Sequence, residues 1–268
     1  MNKFSIITAT LNPDISIKIL MDSLNKQSFK DFEWLIADGG SKNFFIDWIK
    51  SQQNAKLIIS KPDAGHSDAW NRALKEAKGE WIIFMGSDDF FIDENVLRDI
   101  DSFTKNFKDE YEIIYGKVIS GRNIIGTELI NPPLQMLNGM AICHQATLHK
   151  KDLFEKFGYF DINFFYAADY EFLLRAIAGH SKFIFIDRII SNMGVDGQSS
   201  NLANGFATAL DAYNARKINK LKKVNKKWLI HFSKGLSIKI ALFLFGKLVT
   251  FRLIHIYRNM MISLRVRV

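Results

Sequence analysis

The sequence predicts an α/β fold whose amino-terminal part is built on a parallel sheet. Between Phe4 and Asp89, short apolar runs rich in β-branched and aromatic residues alternate with segments of helical periodicity. Polar or glycine-containing clusters punctuate the ends of those runs. Strand, helix and strand in regular succession join as parallel, right-handed units. With 268 residues and 48% hydrophobic content, the chain holds enough apolar material for one large domain, or a domain with an appendage.

Taken in order, Phe4 to Thr10 reads as a buried strand, and Pro13-Asp14 opens an amphipathic helix over Ile15 to Gln27. Phe32 to Ala37 is the second strand and runs into Asp38-Gly39-Gly40-Ser41. A helix over Phe44 to Gln52 leads to the third strand, Ala55 to Ser60, and then to Lys61-Pro62-Asp63-Ala64-Gly65. The helix Ser67 to Lys78 is closed by Gly79, and the fourth strand, Trp81 to Met85, delivers Gly86-Ser87-Asp88-Asp89. Asp93-Glu94 opens the next helical stretch.

From Val96 the pattern is less regular. Glu112 to Lys117 and Asn123 to Leu129 read as strands around a Ser120-Gly121-Arg122 turn, followed by a loop from Asn131-Pro132-Pro133. Thr147 to His149 is a further strand, Lys151 to Phe157 and Ala168 to Ala178 are helices, Lys182 to Ile186 is a strand, and Gly194 to Ser200 is a polar loop.

The turns after these runs exclude several classes. The first strand has no Gly-x-Gly-x-x-Gly turn, which argues against a dinucleotide-binding dehydrogenase, and no Gly-x-x-x-x-Gly-Lys-Ser/Thr segment marks a P-loop. A nucleotidyltransferase would carry a Gly-rich loop with Arg and Lys after the first strand, and Thr8 to Asp14 has none. The single cysteine, Cys143, permits no intrachain disulfide and suits a reducing compartment as a small apolar side chain. The apolar run at the amino terminus is too short for a signal peptide, so the expected location is the cytoplasm.

The net charge of +8 is unevenly spread. From Ala212 onward there are 14 Lys and Arg and no acid, while the preceding segment, with 22 basic and 28 acidic residues, carries −6. A weakly acidic body with a basic tail points to an anionic partner for the tail. Arg216 to Trp228 places Lys220, Lys223, Lys226 and Lys227 on one side of a helix, with Ile218, Leu221 and Trp228 largely opposite. Over Gly235 to Val268, Lys239, Lys247, Arg252 and Arg258 interrupt every run before it reaches spanning length, so two shorter helices joined near Gly246 are expected. Peripheral attachment to an anionic membrane face fits the Leu, Ile, Phe and Lys mixture; packing on the body or on a protein partner is the alternative, and nucleic acid is not expected.

The chemistry centres on the strand ends. Thr8-Ala9-Thr10 with Asn12, Asp38-Gly39-Gly40-Ser41, Lys61-Pro62-Asp63-Ala64-Gly65 and Asp88-Asp89 all fall there, where loops of an open α/β sheet converge on one cleft. Each cluster alone is ordinary turn chemistry, and the Asp pair alone is either a helix cap or a cation site.

In order and spacing these segments, with Gly79-Glu80-Trp81 and Asp68-Ala69-Trp70-Asn71, resemble the family 2 glycosyltransferases, in particular bacterial enzymes that build O-antigen, capsule and exopolysaccharide repeat units. The resemblance covers about residues 3 to 200. It implies the GT-A fold, a Rossmann-like mixed sheet flanked by helices, over residues 1–210, with 1–95 as nucleotide-binding half and 96–210 as acceptor-side half. Residues 211–268 form the basic helical extension. It implies that Thr8, Thr10, Asn12, Asp38 and Ser41 line the base and ribose, that Asp63, Gly65 and Asn71 line the nucleotide site, and that Asp88 lies towards the ribose while Asp89 holds Mg2+ or Mn2+. Arg72 stands where many relatives have Lys; it faces the diphosphate or caps a surface. Tyr166-Ala167-Ala168-Asp169 resembles the family's acidic segment at a helix head, which makes Asp169 the general base, a plain N-cap being the alternative. Glu171 and Arg175 are spaced to pair along that helix. His144 and Ser199 fall in segments that adjoin the acceptor and donor phosphates in relatives. The implied reaction is an inverting, metal-dependent transfer from a nucleotide sugar, a UDP-sugar, to a lipid-diphosphate-linked glycan at the inner face of the cell membrane. A non-catalytic nucleotide-sugar-binding or scaffold protein is the rival class.

Overall fold

In a computed structural model, the described residues are 2–107, 110–137, 139–194, 204–221 and, within 230–244, residues 230, 232–233, 235–241 and 243–244. The amino-terminal half alternates as expected: β1 (Phe4–Thr10), α1 (Ser16–Lys26), β2 (Phe32–Asp38), α2 (Asn43–Lys50), β3 (Ala55–Ser60), α3 (His66–Leu74) and β4 (Trp81–Phe84). β1 pairs in parallel with β2 and β4, and β2 with β3, so β1 lies inside the sheet and is paired on both edges. Its alternation sorts side chains between two cores: Phe4 and Ile6 pack with Ile17, Leu20 and Leu24 of α1, and Ile7 with Ala69 and Ala73 of α3. Ile6, Ile7, Ile36 and Ile83 are fully buried, each worth about 1.5–3 kcal/mol over an exposed side chain.

The remaining elements are β5 (Phe90–Phe91), α4 (Val96–Thr104), β6 (Ile113–Ser120), β7 (Asn123–Ile125), α5 (Pro132–Met136), β8 (Thr147–Lys150), α6 (Asp152–Phe157), α7 (Ala168–Ala178), β9 (Phe183–Met193) and α8 (Gly205–Ile218). They extend the sheet to nine strands in the order β3-β2-β1-β4-β8-β6-β9-β5, with β7 hairpinned onto β6. β8 runs antiparallel to both β4 and β6, whereas β9 runs parallel to β6 and antiparallel to β5. The sheet is therefore mixed, the GT-A arrangement.

Several boundaries differ from expectation. β9 continues through Asp187-Arg188 to Met193 because Arg188 leaves the strand to pair with Asp93 at 2.6 Å and Asp99 at 3.0 Å, and irregular register with β6 accommodates the polar step. β7 ends at Ile125, ahead of Gly126, which has positive φ, so the strand expected to reach Leu129 stops short. Pro132–Met136 is helical rather than a loop, capped by the Asn131 side chain accepting from the Leu134 amide at 3.0 Å. α8 runs through residue 211, the expected start of the tail, and Arg216 of that helix is buried. Residues 222–229 and 245–268, which carry most of the expected tail helices, lie outside the described residues. Among the described residues, no helix is long and apolar enough to cross a membrane.

Candidate active site

A cleft of about 360 Å3 opens at the carboxyl edge of the parallel strands. Ala9 at the end of β1, His66 and Trp70 of α3, Gly86 after β4, His144, and Asp169 of α7 all line it. The end of β1 and the first residues after β4 thus share one cavity with the head of α7, while Thr10, Asp38, Asp63, Asp88 and Asp89 lie outside its lining.

Asp169 is the second residue of α7, so Ala167 occupies the N-cap position and the plain-cap reading does not hold. Its Oδ1 accepts from the Tyr170 amide at 2.7 Å. Burial pushes its carboxyl above the usual range, and the nearby His66 imidazole acts against that shift. His66 itself is held low, first by burial, with Asp169 pulling the other way. Its ring sits edge-on to Trp70 at 4.6 Å and to Phe165 at 5.5 Å.

His144 also lines the cleft, but burial pushes its imidazole down to about 3. It is therefore held neutral at physiological pH by its apolar surroundings. Its ring stacks on Phe84 at 4.9 Å, and neither ring nitrogen has a hydrogen-bond partner among the described residues. Cys143 is held protonated, its thiol pushed up to about 11 by burial and by Asp169.

The Asp pair divides sharply. Asp89 is 2% exposed, and its two oxygens accept from the Gly86 amide at 2.6 Å and the Gly194 amide at 2.9 Å. Burial raises it to about 6, and the neighbouring Asp88 adds to that. Asp88 is exposed and lies against Gly194, where a Cβ would fall 1.8 Å from its Oδ2, so a larger residue there would displace the Asp88 side chain. These are hard oxygen donors of the kind a divalent cation takes. Among the described residues no cluster of three acids, histidines or cysteines is present.

At the other loops most polar capacity is spent within the chain. Asp38 accepts from the Gly40 and Ser41 amides at 3.0 and 2.8 Å, from Ser60 Oγ at 2.7 Å, and from Ser41 Oγ. Ser41 Oγ accepts from the Asn12 amide at 2.6 Å, and Asn12 Oδ1 accepts from Lys42, which ties the first two loops together. Thr10 differs: its buried hydroxyl, at the end of β1 beside Asp38, has no partner among the described residues. Asp63 Oδ1 accepts from the Gly65 amide at 2.9 Å. Gly65 adopts a φ of +113°, and a Cβ there would meet the Phe165 ring at 3.0 Å.

Two expected nucleotide ligands are corrected, and a third is engaged within the chain. Thr8 is fully buried and accepts from the Trp34 indole at 3.0 Å, so it is a core residue. Asn71 spends both ends of its amide on Phe160, donating to the carbonyl at 2.8 Å and accepting from the amide at 3.0 Å. Arg72 pairs with Asp68 at 2.7 Å and reaches the Lys61 and Pro62 carbonyls, so it pins the third loop. Ser199 lies outside the described residues. Glu171 and Arg175 pair along α7 at 2.9 Å, as their spacing suggests.

The model of glycosyl transferase family 2 matches residues 5–153, more than half of the chain. The chain belongs to this family. It is thus a glycosyltransferase, in keeping with relatives such as the PGL/p-HBAD biosynthesis glycosyltransferase of Mycobacterium tuberculosis, 30% identical over 179 residues covering 65% of this chain and 70% of that protein. The poly(ribitol-phosphate) beta-N-acetylglucosaminyltransferase TarS of Staphylococcus aureus is 32% identical over 130 residues, 46% of this chain and 22% of TarS. Residues 1–349 of TarS in complex with UDP-GlcNAc superpose with a TM-score of 0.64 at 19% identity, over 92% of this chain and 76% of that one. The mannosyltransferase PcManGT of Pyrobaculum calidifontis, in complex with GDP-Man and Mn2+, gives 0.59 at 14% identity over 96% and 80%. This chain spans 44% of a longer TarS structure.

Within the family 2 frame, His66, Trp70 and Phe165 are the cleft residues that motif reasoning passes over. His66 sits directly after the positive-φ glycine and opens α3, the only sequence signal that sets it apart from a core histidine.

Proposed function

We propose that this glycosyltransferase moves a sugar from a UDP-sugar to a hydroxyl of a lipid-diphosphate-linked glycan, with inversion, at the inner face of the cell membrane. One observation carries the reading: Gly86, which opens the turn to Asp88-Asp89 and donates to Asp89, lines one cleft together with Asp169. The donor lies along the carboxyl edge, where Thr10, Asp63 and Asp88 retain polar capacity. Asp89 would hold Mg2+ or Mn2+, which when bound offsets the charge of the departing diphosphate, with Asp88 towards the ribose.

As the acceptor hydroxyl attacks the anomeric carbon from the face opposite the leaving group, Asp169 takes its proton. The bond from that carbon to the diphosphate oxygen breaks, and its electron pair leaves with the nucleotide. A carboxylate raised by burial is the stronger base, nearer in pKa to the working pH. His66 and neutral His144 border the same space.

The donor assignment is supported by the UDP-GlcNAc complex of TarS. Met140 and Phe165, both exposed at the cleft mouth, support an acceptor with an apolar portion. The basic, acid-free stretch after Asp211 supports docking on an anionic surface, as do exposed Ile240, Phe243 and Leu244.

The test is a panel of nucleotide sugars with Mn2+, read as thermal stabilisation, and then transfer assays. A UDP-sugar raises the melting temperature in the parent and in Asp169→Asn alike, and Asp169→Asn loses about 10²–10⁴ in rate. Stabilisation by no nucleotide sugar in the presence of Mn2+ refutes the reading. Loss of liposome flotation on deleting residues 222–268 tests the membrane part separately.

A further inference from the structure

α7 carries Asp169, whose own side chain takes the Tyr170 amide, but its N-cap residue is Ala167, which has no side chain to cap with. Amides at a helix start find no partner inside the helix and need one from elsewhere. The amides of Tyr166 and Ala167, directly ahead of α7, both donate to Oδ2 of Asp211, at 2.7 and 3.2 Å. Asp211 comes from α8, 45 and 44 residues further along the chain.

The same helix also holds the segment after α5 and the body of α7. Arg216 donates to the Leu137 carbonyl and lies 3.5 Å from the Tyr170 hydroxyl, which itself donates to the Met136 carbonyl at 2.8 Å. Asn219 donates to Glu171 Oε1 at 3.2 Å. One helix thereby fixes both the segment after α5 and the first turns of α7. A carboxylate at a helix amino terminus also complements its dipole.

We propose that Asp211 is a positioning residue that caps α7 from a neighbouring helix and so fixes the direction of Asp169. This rests on Asp169 being the base. A side chain whose backbone is free to fray at the helix head loses alignment with the acceptor hydroxyl, and misplacement of that kind lowers the chemical step without touching donor contacts on the other half.

Hydrogen exchange over residues 166–170 and UDP release from UDP-GlcNAc with Mn2+ test this on the full chain. In the parent the Tyr166 and Ala167 amides exchange slowly. Asp211→Ala removes that protection and lowers kcat at least about tenfold while KM for the nucleotide sugar stays within about twofold. Asp211→Asn, whose amide oxygen still accepts both bonds, restores protection and rate. Fast exchange of these amides in the parent overturns the brace without any variant. Unchanged protection or kcat in Asp211→Ala, or an Asn variant as impaired as the Ala variant, overturns it too. A parent that releases no UDP from any nucleotide sugar fails the transferase reading instead, and the exchange result still decides the brace.

Discussion

Replacing Asn71 separates a nucleotide ligand from a structural clamp. Its amide is engaged at both ends by the backbone of Phe160, at 2.8 and 3.0 Å, in a part-buried setting that joins α3 to the segment leading into α7. Asn71→Ala leaves one backbone donor and one acceptor without partners. At about 1–1.5 kcal/mol for each partly solvated group, the expected cost is about 2–3 kcal/mol. Asn71→Asp keeps an acceptor for the Phe160 amide but sets a carboxylate against its carbonyl, so it costs at least as much. Urea unfolding at pH 7 reads these values directly, with the parent's m-value retained. UDP affinity by calorimetry, measured well below the unfolding range, stays within about twofold of the parent, because no nucleotide contact is removed. A variant of parental stability that has lost UDP binding would refute the clamp.

Three further outcomes are expected of the same packing. Asp89 titrates at about 6 when folded, against an ordinary 3.8, so in metal-free buffer the folded protein keeps this proton where the unfolded chain has lost it. Stability is full below pH 4, falls by about 3 kcal/mol as pH rises to 6, and is flat beyond; the parent minus Asp89→Asn difference in urea titrations isolates that fall. Gly65→Ala meets both the +113° φ and the Phe165 ring, and lowers stability by more than about 1 kcal/mol in the same assay. Arg72→Met removes a partly exposed pair with Asp68, costing about 1 kcal/mol or less, and leaves KM for the donor unchanged in a transfer assay.

The parallel half was legible because its strands are continuous apolar runs whose ends coincide with turn residues, a pattern that local sequence alone determines. β5 was not: two residues become a strand only because Phe90 and Phe91 meet Asn192 and Ser191. β9 was cut short at Ile186 because Asp187-Arg188 reads as a strand end, and only the Asp93 and Asp99 carboxylates, about ninety residues earlier, make that arginine tolerable inside a sheet. In the site, motif position indicated which loops meet but not how each side chain is occupied. Thr8, Asn71 and Arg72 satisfy the motif, yet their polar atoms are spent on Trp34, Phe160 and Asp68. Such occupancy is a property of tertiary neighbours. His66 was missed for the converse reason, since its significance lies in facing Asp169 across the cleft.

The bond from Gly194 to Asp89 joins residues 105 positions apart. On a growing polypeptide, the loop after β4 is synthesised long before the strand that closes it. The amino-terminal sheet can therefore assemble early while its acidic loop stays open, and closure waits for a late, long-range pairing of the kind that slows folding. A carboxylate left in water during that interval keeps an ordinary acidity, so the raised proton affinity of Asp89 reports the burial that comes with closure of its loop.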